Sequence, residues 1–230
     1  MLSIGHRGAM AHAPENTLLA IQKAIAFGVD AVEIDVHLVD GELLVIHDLT
    51  LERTTNGKGR LNDFTVAELR SLDAGQGEKI PFLSEVLSLA FNNVGVHIEL
   101  KGRGTAKAVV QQLRHLSEQQ RRTLIISSFL MSELKQVFAL DPTIKLGVLI
   151  KKNLADGFNW AAKLNAYSIH LSLQQLSLEH LERAHQNKLK VYVYTVNSIK
   201  DITQMLRLGV DGVFSNYPDR VRQVLLGKSF

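Results

Sequence analysis

The feature that most constrains this chain is a repeated alternation of short, Val- and Ile-rich apolar runs with longer stretches of helical period. The runs are Leu2–Gly5, Ala31–Val36, Val94–Leu100, Leu124–Ser127, Leu146–Ile150, Tyr167–Leu171, Val191–Thr195 and Gly212–Ser215. A strand covered on both faces reads as a continuous apolar run, whereas a half-exposed strand alternates. Between the runs, Ala106, Val109, Val110, Leu113 and Leu116 form one helical stripe. Leu18, Ile21 and Ile25 form a second, and Leu178, Leu181 and Ala184 a third. Eight buried strands with helices between them predict an α/β fold, a closed (β/α)8 TIM barrel rather than a doubly wound sheet. The chain has 230 residues, the usual size of one such barrel, and is read as a single domain over 1–230.

One segment breaks the alternation. Glu33 to Val39 is followed by Asp40-Gly41 and then by Glu42 to His47. Asp-Gly between two apolar runs is a strong hairpin signal, because a type I′ turn needs positive φ at both central residues. Pairing Val39 with Glu42 sets Asp35 opposite Ile46, so the chain leaves the barrel mouth and returns with His47 beside Glu33 and Asp35. Residues 48–81 carry little regular pattern beyond a short helix over Thr65–Leu72 and a loop at Gly75-Gln76-Gly77. They read as a small insertion after the second strand, too short to hold a core of its own.

Barrel enzymes place their chemistry where strands end and loops begin. Here the first strand ends in Gly5-His6-Arg7-Gly8, and the second carries Glu33 and Asp35 on one face. The returning hairpin ends in His47-Asp48, and the next strand carries Glu99 and Lys101. Carboxylates converging on one mouth repel one another unless a cation lies between them, and a hard divalent ion, Mg²⁺ or Ca²⁺, suits oxygen ligands. The two histidines supply groups that titrate near neutral pH, and Arg7 and Lys101 can neutralise phosphate oxygens. Taken singly, each residue has an ordinary structural reading, such as an ion pair of Arg7 with Glu33 or Glu99. In combination they point to a site. Of the remaining histidines, His37 shares the face of Glu33 and Asp35 but sits in the hairpin beyond the site. His97 lies one residue pair deeper than Glu99 and is expected to be buried and hydrogen-bonded, and His170 is near a strand end. His12, His115, His180 and His185 read as loop or helix-surface residues.

Charge and composition narrow the classes. With 26 basic and 23 acidic residues the net charge is +3, and no Lys/Arg run is dense enough for a nucleic-acid or membrane patch. The absence of cysteine excludes disulfides, thiolate zinc sites and a cysteine nucleophile. No apolar run approaches membrane-spanning length and the opening residues lack a signal-peptide pattern, so a cytoplasmic protein without stable membrane insertion is expected. The closing segment Val221–Phe230 could cap the barrel or join a homodimer.

Taken together, these segments resemble the glycerophosphodiester phosphodiesterase family nearly end to end. Gly5-His6-Arg7-Gly8 with Pro14-Glu15-Asn16-Thr17 is similar to its first signature, Glu33-Ile34-Asp35-Val36 with Asp40-Gly41 and His47-Asp48 to its second, and Glu99-Leu100-Lys101 to its third. Ser127-Ser128-Phe129, Thr195-Val196-Asn197 and Asp211-Gly212-Val213 with Ser215-Asn216-Tyr217-Pro218 match later strands. The resemblance implies hydrolysis of a small-molecule glycerophosphodiester, such as glycerophosphocholine or glycerophosphoethanolamine, to glycerol 3-phosphate and an alcohol. It implies that Glu33, Asp35 and Glu99 hold the metal, that His6 and His47 act as general acid and base, and that Arg7 and Lys101 grip the phosphate. Glu15 and Asn16 would orient His6 or the phosphate, although Asn16 or Thr17 is also a good helix N-cap, and Asp48 would orient loop backbone. Many relatives have Trp where this chain has Tyr194, a smaller wall that carries a hydroxyl, so the preferred head group is open. Two rivals stand beside this reading: a lipid-directed phospholipase D or sphingomyelinase D-like enzyme on the same barrel, and a catalytically silent barrel that binds phosphorylated metabolites.

Overall fold

The computed structural model describes residues 1–227. Nine strands form one sheet: β1 (Leu2–His6), β2 (Ala31–Val39), β3 (Glu42–Val45), β4 (Gly95–Leu100), β5 (Leu124–Ser128), β6 (Lys145–Leu149), β7 (Ser168–Ser172), β8 (Lys190–Tyr194) and β9 (Gly212–Ser215). The order β1-β9-β8-β7-β6-β5-β4-β2 closes through a β1–β2 pairing, so eight parallel strands make a barrel and β3 alone lies outside it. Helices occupy every crossover between successive barrel strands, as right-handed βαβ chirality requires.

Strict alternation along the strands sorts the side chains. Val32, Ile34, Val96, Ile98, Val148, Ile169, Val191 and Val213 face outward into the main core, against the helices. The intervening positions fill the interior, where Ile4, Ala31, Ile125, Tyr192 and Phe214 form a second cluster. The continuous apolar runs are thus strands buried on both faces. The helical stripes also appear, with one exception: Leu178 is the first residue of its helix and is 56% exposed, while Leu181 and Ala184 carry the buried face.

The first half of β2 belongs to the barrel, pairing with β1 and β4, and its second half pairs antiparallel with β3 in the register Val36↔Val45 to Val39↔Glu42. Asp40 and Gly41 both have positive φ, 47° and 84°, as the turn demands. The Ile46 amide donates to the Asp35 carbonyl at 3.0 Å, which extends the register toward His47. Beyond it, the insertion shares a core with the hairpin rather than holding one of its own. Leu51, Leu61, Leu69, Ala74 and Ile80 pack with Val39, Leu44 and Ile46 of the hairpin into a separate cluster. Neither the insertion nor the hairpin could bury this surface alone; each is the other's lid.

At the C-terminal end, Val221 is buried in a helix spanning Pro218–Leu225 that packs beside β1, so the first part of Val221–Phe230 covers the barrel side. The rest of that segment, from 228 on, lies outside the described residues. No helix among the described residues is long and apolar enough to cross a membrane.

Candidate active site

The strands deliver their polar ends to one cavity of about 190 Å³ at the C-terminal mouth, lined by His6, Arg7, Glu33, His47, Glu99 and Lys101 on one side. Asp35 lies beneath, and Glu33, Asp35 and Glu99 place one carboxylate oxygen each within 4.8 Å of one another. They meet because Asp35 pairs with Glu99 and Glu33 with His6 in the parallel ladders. The crowding shows in their protonation. Burial, then the neighbouring Asp35, raises Glu99 to about 7, and the same two effects with Glu99 added push Glu33 well above the carboxylate range. Glu33 Oε1 is buried without a hydrogen-bond partner. An orphaned carboxylate oxygen facing two further carboxylates is the donor set of a hard cation, and Glu33, Asp35 and Glu99 could hold one.

Arg7 occupies the left-handed region, φ 53°, at the turn after β1, and its backbone N–H donates to Glu33 Oε2 at 3.0 Å. Gly8 follows at φ 81°, where a Cβ would meet the backbone of Ala20 at 2.6 Å, so the turn sits directly on the helix Leu18–Ala26. The Arg7 guanidinium donates from Nη1 to Glu15 at 2.6 Å and lies 3.3 Å from Asp35 through Nε. Lys101 donates to Glu99 at 2.7 Å and lies 3.7 Å from Asp35. It also stands 3.1 Å from Nε2 of His47.

The two histidines differ. His6 Nδ1 is 2.7 Å from the side-chain amide oxygen Oδ1 of Asn216, which accepts, so Nδ1 carries the hydrogen and Nε2 is the free nitrogen. Burial, then Arg7, lowers His6 to about 4, and the ring is neutral. His47 instead sets Nδ1 against the carboxylate of Asp48. Its backbone is also held, because His37 Nε2 donates to the His47 carbonyl at 3.0 Å. His37, itself in the hairpin opposite Leu44, therefore supports the site through the His47 backbone.

Several expectations need correction. Glu15 and Asn16, expected to orient His6 or the phosphate, make no hydrogen bond to His6. Glu15 binds Arg7 and Arg53, and Asn16 brackets Asp35, donating to its carboxylate at 2.9 Å and accepting from its backbone N–H at 3.2 Å. The helix N-cap is Thr17, which accepts from Ala20. Asp48 orients an imidazole rather than loop backbone. His97 is buried, but its Nδ1 has no partner, so it is not the fully hydrogen-bonded histidine expected. His170 does line the cavity, with Nε2 3.0 Å from Ser168 Oγ. Tyr194 also lines it, its hydroxyl donating to the Ile150 carbonyl at 2.8 Å, edge-on to Phe129.

A profile of the glycerophosphoryl diester phosphodiesterase family matches residues 6–220, which takes in every residue of this constellation. The chain belongs to that family. Family members related to it include a glycerophosphodiester phosphodiesterase of Caldanaerobacter subterraneus subsp. tengcongensis, 36% identical over 95% of both chains. One from Bacillus subtilis is 31% identical over 99% of this chain and 87% of its own. Among solved structures, an Oleispira antarctica phosphodiesterase in complex with the product sn-glycerol-3-phosphate superimposes with a TM-score of 0.91 at 31% identity, covering 96% of this chain and 95% of its own. The glycerophosphodiester phosphodiesterase of Thermotoga maritima gives 0.83 at 31% identity, covering 98% of each chain. As a glycerophosphodiester phosphodiesterase family member, the chain is an enzyme of the phosphodiesterase class on a TIM barrel.

Of the residues that meet this constellation, Asn216 and Phe129 enter the sequence reading only inside motifs, with no role, and Arg53 is not singled out there at all. Asn216 stands one position past β9 and Phe129 one past β5, so the strand-end rule that found His6 and Lys101 applies to them too. Arg53 has no such signal, because it comes from the irregular segment after His47.

Proposed function

We propose that the protein hydrolyses glycerophosphodiesters to sn-glycerol 3-phosphate and an alcohol with a divalent cation, Mg²⁺ or Ca²⁺, held by Glu33, Asp35 and Glu99. The observation that carries this reading is the convergence of three carboxylates, two imidazoles and two cationic side chains on one cavity. The sn-glycerol-3-phosphate product complex of the Oleispira antarctica relative supports the substrate class. A bound cation would supply charge stabilisation to the non-bridging phosphate oxygens.

The protein's own groups then divide the work. Arg7 and Lys101, already turned into the cavity, take the remaining phosphate charge. Nε2 of His6 is a neutral, unoccupied nitrogen in a tautomer fixed by Asn216, and it accepts the proton of the attacking oxygen. His47 is assigned the proton that goes to the departing alcohol as the P–O bond breaks, with the Asp48 carboxylate held behind Nδ1. This requires the Lys101 ammonium, which donates to Nε2 at 3.1 Å, to turn from that nitrogen to the phosphate as substrate binds. The attacking oxygen is either water or the substrate's own glycerol hydroxyl, the latter giving a cyclic phosphate that water then opens. Following ³¹P NMR during turnover separates the two by the presence or absence of a cyclic species.

The test is hydrolysis of glycerophosphocholine and glycerophosphoethanolamine with Mg²⁺, Ca²⁺ or EDTA, beside Glu33→Ala and Glu99→Ala. Activity abolished by EDTA, restored by one cation and lost in both variants is expected. Wild-type turnover in EDTA or in either variant would remove the metal from the reading.

A further inference from the structure

We infer that Arg53 is a positioning residue that ties the carboxylate behind Arg7 to the carboxylate behind His47, fixing the spacing between phosphate grip and proton donor. The inference rests on the reaction proposed above. Arg53 lies in a stretch without regular structure, on the far side of Glu15 and Asp48 from the cavity. Its Nη1 and Nη2 donate to the two oxygens of Glu15 at 2.6 and 2.9 Å, and its Nε donates to Asp48 Oδ2. Glu15 Oε1 also accepts from Arg7, and Asp48 Oδ1 faces His47 Nδ1. One guanidinium thus joins the turn after β1 to the segment after β3, two loops that share no strand pairing at this level.

An isolated ion pair of a half-exposed arginine does little. Arg53 differs in geometry: three donors are engaged, two of them as a fork on one carboxylate, and each acceptor is also committed to a cavity residue. Arg53 is the largest influence holding Asp48 below the usual carboxylate range. Without it, Glu15 and Asp48 keep only their cavity-side partners and are free to turn, and Arg7 and His47 move with them. A lysine at this position is a point charge on a flexible stem and cannot span the same three contacts.

The experiment compares Arg53→Ala and Arg53→Lys in the wild type and in the Glu15→Gln/Asp48→Asn double variant, reading kcat and KM with glycerophosphocholine. Hydrogen–deuterium exchange of segments 8–17 and 46–54 is followed in parallel. Outer-shell changes of this kind reduce activity about 10–100-fold, so Arg53→Ala is expected to lower kcat/KM by that factor and Arg53→Lys to recover part of it. Faster exchange in both segments is expected. In the double variant the added loss should fall below about threefold, since the groups through which Arg53 acts are gone. Unchanged kcat/KM in Arg53→Ala, or the same fold-loss in both backgrounds, overturns the inference. If the wild type hydrolyses no glycerophosphodiester, the functional reading fails instead. Exchange then still decides the tie, faster in both segments if Arg53 holds them and unaltered if it does not.

Discussion

Asn16 holds Asp35 from two directions, through the carboxylate and through the backbone N–H, and it does so from the left-handed region at φ 58°. Asparagine tolerates that conformation better than other side chains, which also explains why it rather than Thr17 is free for the task. Sequence made the residues of the site legible but not their partners. His6, Glu33 and Glu99 announce themselves as polar groups at the ends of apolar runs, whereas Asn16 to Asp35 is a contact between a loop and a strand that no periodicity encodes. The same holds for Asn216 on His6, 210 positions away. Asn16→Gly isolates the amide's contribution, because glycine occupies this φ without strain. Loss of both hydrogen bonds should weaken divalent-cation binding about 10–100-fold, as outer-shell changes at metal carboxylates do. Calorimetric titration with Mg²⁺ or Ca²⁺ measures it; an unaltered affinity would show that Asp35 needs no such support.

At the scale of elements, the hairpin and the first turn use glycine for different reasons. Gly41 has positive φ and open space where a Cβ would go, while Gly8 has positive φ and the Ala20 backbone in the way. Gly41→Ala therefore meets only the conformational penalty, about 1 kcal/mol, and should leave turnover unchanged. Gly8→Ala must also push the helix Leu18–Ala26 away from the turn that carries Arg7, so stability and kcat/KM should fall together. Urea unfolding and steady-state kinetics on the two variants check the contrast, and equal behaviour would contradict the packing argument. The hairpin itself was readable because Asp-Gly dictates both turn type and register. The core beneath it was not, since Leu51, Leu61, Leu69, Ala74 and Ile80 follow neither strand nor helix period and acquire a common face only once the insertion folds over Val39, Leu44 and Ile46.

For the whole molecule, the eight apolar runs located every barrel strand to within a few residues, because a strand covered on both faces cannot hide its composition. What the runs conceal is that the barrel interior holds buried groups with opposite pH demands. Burial, then Lys145, lowers His97 to about 3 from an ordinary 6.5. The unfolded chain takes up that proton first, so this contribution is intact above pH 6.5 and lost as pH falls toward 3. Glu99, raised to about 7 from 4.5, behaves the other way: its contribution is full below 4.5 and lost as pH rises through about 7. That loss is on the order of 3 kcal/mol at one pKa unit per ~1.4 kcal/mol. Cation-free protein should therefore be most stable at mildly acidic pH and decline on both sides. A divalent cation binds the deprotonated carboxylates, so it can restore only the alkaline side. Melting temperatures in excess Mg²⁺ or Ca²⁺ and in EDTA should coincide near pH 5 and separate by about 5–10 °C at pH 8. His97→Leu should shrink the acid-side decline without removing it, since burial also lowers His6, His37 and His170, and should leave that separation intact. A cation effect of equal size at pH 5 and pH 8 would mean that the ion binds somewhere other than among Glu33, Asp35 and Glu99, since the raised Glu33 and Glu99 carboxyls make it compete with protons there.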